Sequence, residues 1–321
     1  MAMTISIPKL KPEDKPILIA SAFILVILGV GTAYTLSTQG SAPLLSPGYL
    51  LQQLQTGSFL GIVAAGMMVV ILLGHIDLSV AWTMTAAAMM ATTVGGEMAI
   101  PVGIAIGASV GLINGFGVAY LRVPSMIFTL GVDSVLRGLM VAHTGGFAPQ
   151  DAATPLMRTL AASKTLGVPN AIFVWLVISV VIAMMLKRTA FGREIYVTGN
   201  REVAAYLSGI RTRRVILGSF VVSGICAAMA GVMLAGYSAR AYQGMGNAFL
   251  LPAIAAVVIG GTRILGGQGR YIGTLIGVIL IVLLNSVLSI MQMPEAGRQM
   301  IYGSVIICML LVYGRGAKVH S

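Results

Sequence analysis

Apolar runs recur along the whole chain, at 17–36, 59–73, 78–94, 100–121, 126–141, 172–186, 215–237, 251–261, 271–291 and 300–313. A hydrocarbon layer about 30 Å thick is crossed by roughly 20 apolar residues in a helix. Backbone groups in that layer find no water, so a chain built of such runs has to fold them as helices. The pattern predicts an all-α, polytopic membrane bundle of about ten transmembrane helices, forming one domain over 1–321. Only 9% of the residues are charged, against about a quarter in soluble domains. The runs at 59–73 and 251–261 are short for a crossing and are expected to be broken or re-entrant. Both begin near a Phe-Leu pair and end in glycine followed by charge.

The charges say which way the bundle faces. The segment 187–214 holds seven of the twenty Lys/Arg residues, with only Glu194 and Glu202 as acids. Basic residues beside a span mark the cytoplasmic side. Ten crossings would then place both tails, 1–16 and 314–321, in the cytoplasm too. The net charge of +11 reflects this loop pattern and gives no reason to expect nucleic acid as a partner; no aromatic-plus-basic platform accompanies it. The same segment is patterned as more than a tether. Asn200 is placed to cap a short helix over 201–207, which Ser208-Gly209 would stop. A short cytoplasmic helix between two spans is a docking surface for a soluble partner.

Within 100–121, Gly103, Gly107, Gly111 and Gly115 recur every four residues, a spacing that lets two helices approach closely. Chemistry-bearing patterns are scarce. The glycines at 266, 267 and 269 lack the spacing that cradles phosphates. His75, His143 and His320 have no metal-ligand spacing, and Cys226 and Cys308 lie inside apolar runs. The chain is therefore read as a non-enzyme with no cofactor or metal of its own. Polar residues in apolar surroundings are the candidates for a substrate pathway. His75, Asp77 and Ser79 are either a tight turn with Asp77 capping the next helix, or a polar element at a broken helix. Asp133 and Arg137, four apart, form either a structural ion pair or the wall of a hydrophilic path. Asn114 and Asn285 are single amides suited to interhelical hydrogen bonds or to substrate contact.

Three stretches carry a resemblance. Gly74-His75-Ile76-Asp77-Leu78-Ser79-Val80 is the first. The second runs from Phe191-Gly192-Arg193 through Tyr196, Gly199-Asn200 and Ala204-Ala205 to Ser208-Gly209-Ile210. The third runs from Ile254 through Gly260-Gly261-Thr262 and Gly266-Gly267 to Gly273-Thr274. A weaker echo lies in Thr129-Leu130-Gly131, Arg137-Gly138 and Thr144-Gly145-Gly146. Together these resemble the permease subunits of bacterial ABC importers for sugars, the ribose/xylose/galactose type. The resemblance implies a multi-pass protein of the bacterial inner membrane, among membrane lipid, that forms half of a pathway for a monosaccharide or sugar-like polyol. A second copy or a paralogue would complete it as a dimer. A separate ATPase subunit would bind ATP and Mg, and a periplasmic sugar-binding protein would deliver the substrate. By the same resemblance 187–214 is the ATPase-coupling loop, with Gly192, Arg193, Tyr196, Gly199, Asn200, Ala204, Ala205 and Gly209 as its coupling residues. His75, Ala81, Pro252, Asp133, His143 and Arg263 depart from the family pattern and bear on the substrate more than on the fold. Three alternatives stand beside this reading: a branched-chain amino-acid permease of the same importer group, an ion-coupled secondary transporter with Asp77 and Asp133 as relay acids, and a passive channel or structural membrane scaffold.

Overall fold

The computed structural model describes residues 15–147 and 151–314. The basic tail beyond 314, most of the N-terminal tail and Pro149 lie outside the described residues. Thirteen helices make the body: α1 (Lys15–Gln39), α2 (Pro47–Ile71), α3 (Val80–Val94), α4 (Ala99–Ala119), α5 (Ser125–His143), α6 (Pro155–Ala161), α7 (Asn170–Arg188), α8 (Ala190–Asn200), α9 (Glu202–Leu207), α10 (Thr212–Ser238), α11 (Asn247–Ile259), α12 (Tyr271–Ile290) and α13 (Glu295–Gly314). A two-residue hairpin pairs Lys164–Thr165 with Val168–Pro169. Each of the ten apolar runs lies on its own helix, and α6, α8 and α9 occupy the polar connections. Among the described residues, seven helices (α1, α2, α4, α5, α7, α10 and α12) are long and apolar enough to cross a membrane.

Helix α2 is the most deeply buried of these seven. In its apolar stretch 89% of the residues are buried, against 11% in that of α1, and α1 packs chiefly on α12. Exposed Phe23, Leu25, Val26 and Val30 on α1 are what a lipid-facing helix presents, since hydrocarbon solvates them at no cost. The expectation that 59–73 is a short span is corrected here. Helix α2 starts twelve residues earlier, with Pro47 in its first turn and the Ser46 hydroxyl accepting from the Tyr49 N–H. The amides that hid this start are accommodated: Gln55 is buried and donates to the Ala161 carbonyl at 2.8 Å. The short helices are instead α3, with 15 residues, and α11, with 13. At 1.5 Å per residue both fall below the roughly 30 Å of a hydrocarbon core.

The glycine stripe does what its spacing predicts. α4 lies backbone to backbone on α10. A Cβ on Gly107 would collide with the Gly224 carbonyl, one on Gly111 would come within 2.7 Å of Val221 Cα, and one on Gly115 within 2.7 Å of Leu217 Cα. Gly224 answers from the other side, against Gly107.

The basic loop is also corrected. It holds two helices rather than one. Asn200 ends α8 and does not cap α9, whose first turn follows an extended Arg201 with no side-chain cap. α8 itself is capped by Thr189, whose hydroxyl accepts from the Gly192 N–H at 3.0 Å. Gly209, at φ +85°, ends α9 as expected.

Candidate functional site

Two polar features stand out, one open and one closed. The open one is a cleft between α2, α5, α11, α12 and α13. Its two adjoining chambers, of about 160 and 290 Å³, share Ala248, Pro252, Glu295 and Tyr302. Gln53, Thr56 and Asn285 line one chamber; Asp133, Asn247 and Gln299 line the other. Asn285 accepts from the Arg298 guanidinium at 3.1 Å, and Arg298 pairs with Glu295 at 3.7 Å. Pro252 interrupts α11 beside both chambers. The lining is amide, hydroxyl and carboxylate over an apolar floor of Leu60, Phe249 and Ile281. Such a surface can exchange hydrogen bonds with a polyhydroxylated solute without a strong charge trap.

The cleft opens away from the basic loop. Leu72, just past the end of α2, touches the end of α8, and Thr56 lies sixteen residues up that helix, about 24 Å along its axis. Asn247 likewise starts α11, whose far end leads into the glycine loop that reaches Asn200.

The closed feature sits between α2 and α3. Asp77 is 1% exposed. Its Oδ1 accepts from the Ser79 N–H at 3.0 Å, the Ser79 hydroxyl at 2.7 Å and the Asn114 amide at 3.4 Å; its Oδ2 accepts from Ser223 at 3.0 Å. Asn114 also donates to Ser79 Oγ at 2.7 Å. Ser125 and Thr129 of α5 accept from the Ile76 and Leu78 N–H groups, so side chains replace the backbone partners lost where the helix breaks. Asp77 thus ties α2, α3, α4 and α10 together. A buried acid is tolerated here because both carboxylate oxygens accept hydrogen bonds.

Beneath this junction, α8 is seated against two loops at once. A Cβ on Gly199 would collide with the Leu72 carbonyl and come within 2.9 Å of the Gly267 N–H. The Gly267 N–H donates to the Leu72 carbonyl at 2.9 Å, and the Tyr196 hydroxyl donates to the Gly269 carbonyl at 3.0 Å. Burial raises the Tyr196 phenol pKa above its ordinary value, with the charge of Arg270 opposing, so the phenol stays a donor at neutral pH.

The structure sorts the residues singled out by sequence. Asp133 and Asn285 line the cleft. Asp77, Ser79 and Asn114 form the buried junction, and Asn114 takes the interhelical role. His75 is partly buried, its ring 6.1 Å from that of Phe220. Asp133 and Arg137 do not pair: among the described residues no ion pair within 4 Å joins them. They bracket Trp82 instead, whose backbone N–H donates to Asp133 at 3.3 Å and whose ring lies 5.9 Å from the Arg137 guanidinium. In the basic loop, Gly192, Tyr196, Gly199 and Ala205 face the chain's own body, with Ala205 buried, while Arg193, Asn200, Ala204 and Gly209 are exposed. Sequence reasoning missed Gln53, Thr56, Asn247, Glu295, Gln299 and Tyr302. One signal existed: Glu295, Gln299 and Tyr302 follow at i, i+4 and i+7, a polar stripe on an otherwise apolar helix.

Residues 49–310 match the family model described as "Branched-chain amino acid transport system / permease component". The chain belongs to this permease family. The permease is 34% identical to the ribose import permease RbsC of Haemophilus influenzae over 82% of this chain and 84% of that one. It is 33% identical to the ribose import permease RbsC of Escherichia coli K12, with the same coverage. The autoinducer 2 import system permease LsrC of Salmonella typhi is 31% identical over 93% of this chain and 84% of its own. No solved structure was found to match it. The permease is thus a multi-pass inner-membrane transport subunit of the ABC importer class, not a catalytic one, and membership implies a separate ATPase and a substrate-binding partner.

Proposed function

We propose that the permease is the transmembrane half of an ATP-driven importer for a monosaccharide or sugar-like polyol. The observation that carries the substrate class is the cleft. Its amide and hydroxyl lining from Gln53, Thr56, Asn247, Asn285, Gln299 and Tyr302 suits a solute dense in hydroxyls, and relatives named for ribose and autoinducer 2 favour such a solute over a branched-chain amino acid. Ten crossings, with both termini on the side of the basic loop, fit the charge pattern. A second copy or a paralogue completes the conduit, membrane lipid surrounds the pair, and a periplasmic binding protein delivers the sugar to the cleft.

ATP and Mg bind on the partner ATPase. That partner docks under α8 and α9, where Arg193, Ala204 and Leu207 are exposed. Gly199 and Tyr196 pass its motion to the loops at 72–77 and 266–269. The junction at Asp77 closes the inner end of the pathway while the cleft is open outward. Reconstituted vesicles test this. With the ATPase subunit present, ATP hydrolysis should rise on adding sugar-loaded binding protein and not on adding a leucine-loaded one. Sugar accumulation by the permease alone, driven by a proton or sodium gradient, overturns the reading and favours the secondary transporter.

A further inference from the structure

On the basic side of the bundle a groove of about 800 Å³ lies between the end of α4, the helix α9 and the start of α10. Arg122, Arg211, Arg213 and Arg214 line it with Tyr120, Tyr206, Val203, Thr212 and a single acid, Glu202. Glu202 is already engaged: Arg122 donates to it at 2.6 Å and the Thr212 hydroxyl at 3.3 Å. Among the described residues, Arg211, Arg213 and Arg214 have no carboxylate within 4 Å. Arg213 instead lies over the Tyr120 ring, 5.5 Å from its centroid. Arg122 is held at the rim by a left-handed backbone, φ +57°, at the turn that ends α4.

The groove continues into an apolar strip. Ile113, Phe116 and Tyr120 follow at helical spacing on α4, each 40–53% exposed. Phe116 and Tyr120 stack with centroids 5.3 Å apart. On a membrane helix this strip faces acyl chains, and the guanidinium groups begin where it ends. A ligand that fits both parts carries a phosphate or other anion at one end and hydrocarbon at the other.

We propose that this groove binds the headgroup of one anionic phospholipid, whose acyl chains run along Ile113, Phe116 and Tyr120. Arginine forks match phosphate oxygens, and basic pockets at the cytoplasmic interface hold anionic headgroups. The bound lipid bridges α4, α9 and α10, and so steadies the loop assigned above to ATPase docking. The site depends on that functional reading only for the side of the membrane it faces. The lipid measurements in its test use neither sugar nor ATPase, so its failure and the failure of that reading are told apart.

The test is native mass spectrometry of the detergent-purified permease titrated with dioleoylphosphatidylglycerol or dioleoylphosphatidylcholine. Wild type should retain phosphatidylglycerol preferentially. At about fivefold per arginine, the triple substitution Arg211→Gln, Arg213→Gln, Arg214→Gln should lower that preference about a hundredfold. The triple lysine substitution, which keeps the charge, should restore most of it. Equal retention of both lipids by wild type overturns the proposal whether or not any variant folds. So does binding of glycerophosphoglycerol, which has no acyl chains, as tight as that of the lipid, since the groove would then be a site for free phosphate esters. A triple glutamine variant that keeps the lipid preference but loses ATPase in pull-down assigns the groove to the ATPase and also overturns it.

Discussion

Two interruptions of apolar helix, at 72–79 and 260–270, meet beneath the bundle yet are built from different materials. The first satisfies its broken backbone with side chains: Ser125, Thr129 and the Asp77 network supply the partners. The second relies on backbone and glycine. The Arg263 N–H donates to the Gln268 carbonyl, the Gly267 N–H to the Leu72 carbonyl, and Gly261, Gly266 and Gly267 all have positive φ. The difference teaches where each is vulnerable. A side-chain junction fails when a hydrogen-bonding atom is removed; a glycine junction fails when volume is added.

Removing an acceptor from the first junction should have the largest effect. Asp77→Ala takes the acceptor from the Ser79 and Ser223 donors in a buried site, while Asn114 keeps its bond to Ser79 Oγ, and should cost about 2–4 kcal/mol. Thermal unfolding in detergent reads this, and Asp77→Asn, which keeps one acceptor, should lose less than half as much. A stable Asp77→Ala protein erases the contrast between the junctions. Adding one carbon to the second comes next. Gly267→Ala forces a side chain into φ +76° and within 2.8 Å of Asn200 Cα, at about 1–3 kcal/mol, and sugar-stimulated ATP hydrolysis should fall with it. Tyr196→Phe removes only the bond to the Gly269 carbonyl and should cost about 1 kcal/mol. Arg263→Ala should change stability by less than about 0.5 kcal/mol, because its side chain is exposed and the turn uses its backbone. A large loss there would show side chains holding the second junction as well.

Hydropathy alone marked ten apolar runs, and a helix lies on each of them, because in hydrocarbon a backbone has few choices but helix. It misjudged α2, where Gln52, Gln53 and Gln55 break the apolar pattern although Gln55 is satisfied by a carbonyl from α6. The loop at 187–214 was legible as helical in part. Its division at Asn200 and Arg201 was not, since α8 ends where it does because of contacts with residues more than sixty positions away. Asp77 announced itself as costly, but whether it lines a path or braces a junction depends on Asn114 and Ser223, which no local spacing connects to it. The cleft was the least readable feature. Its polar atoms come one or two at a time from five helices, and only folding brings them together.

The seat of Gly199 against the Leu72 carbonyl and the Gly267 amide has one more consequence. A cavity there would let α8 shift while the loops above it stayed put. With atoms in contact on both sides, a small push from below has no slack to vanish into. Both hinges above the helix must yield together, so glycine at this point makes the linkage short rather than loose.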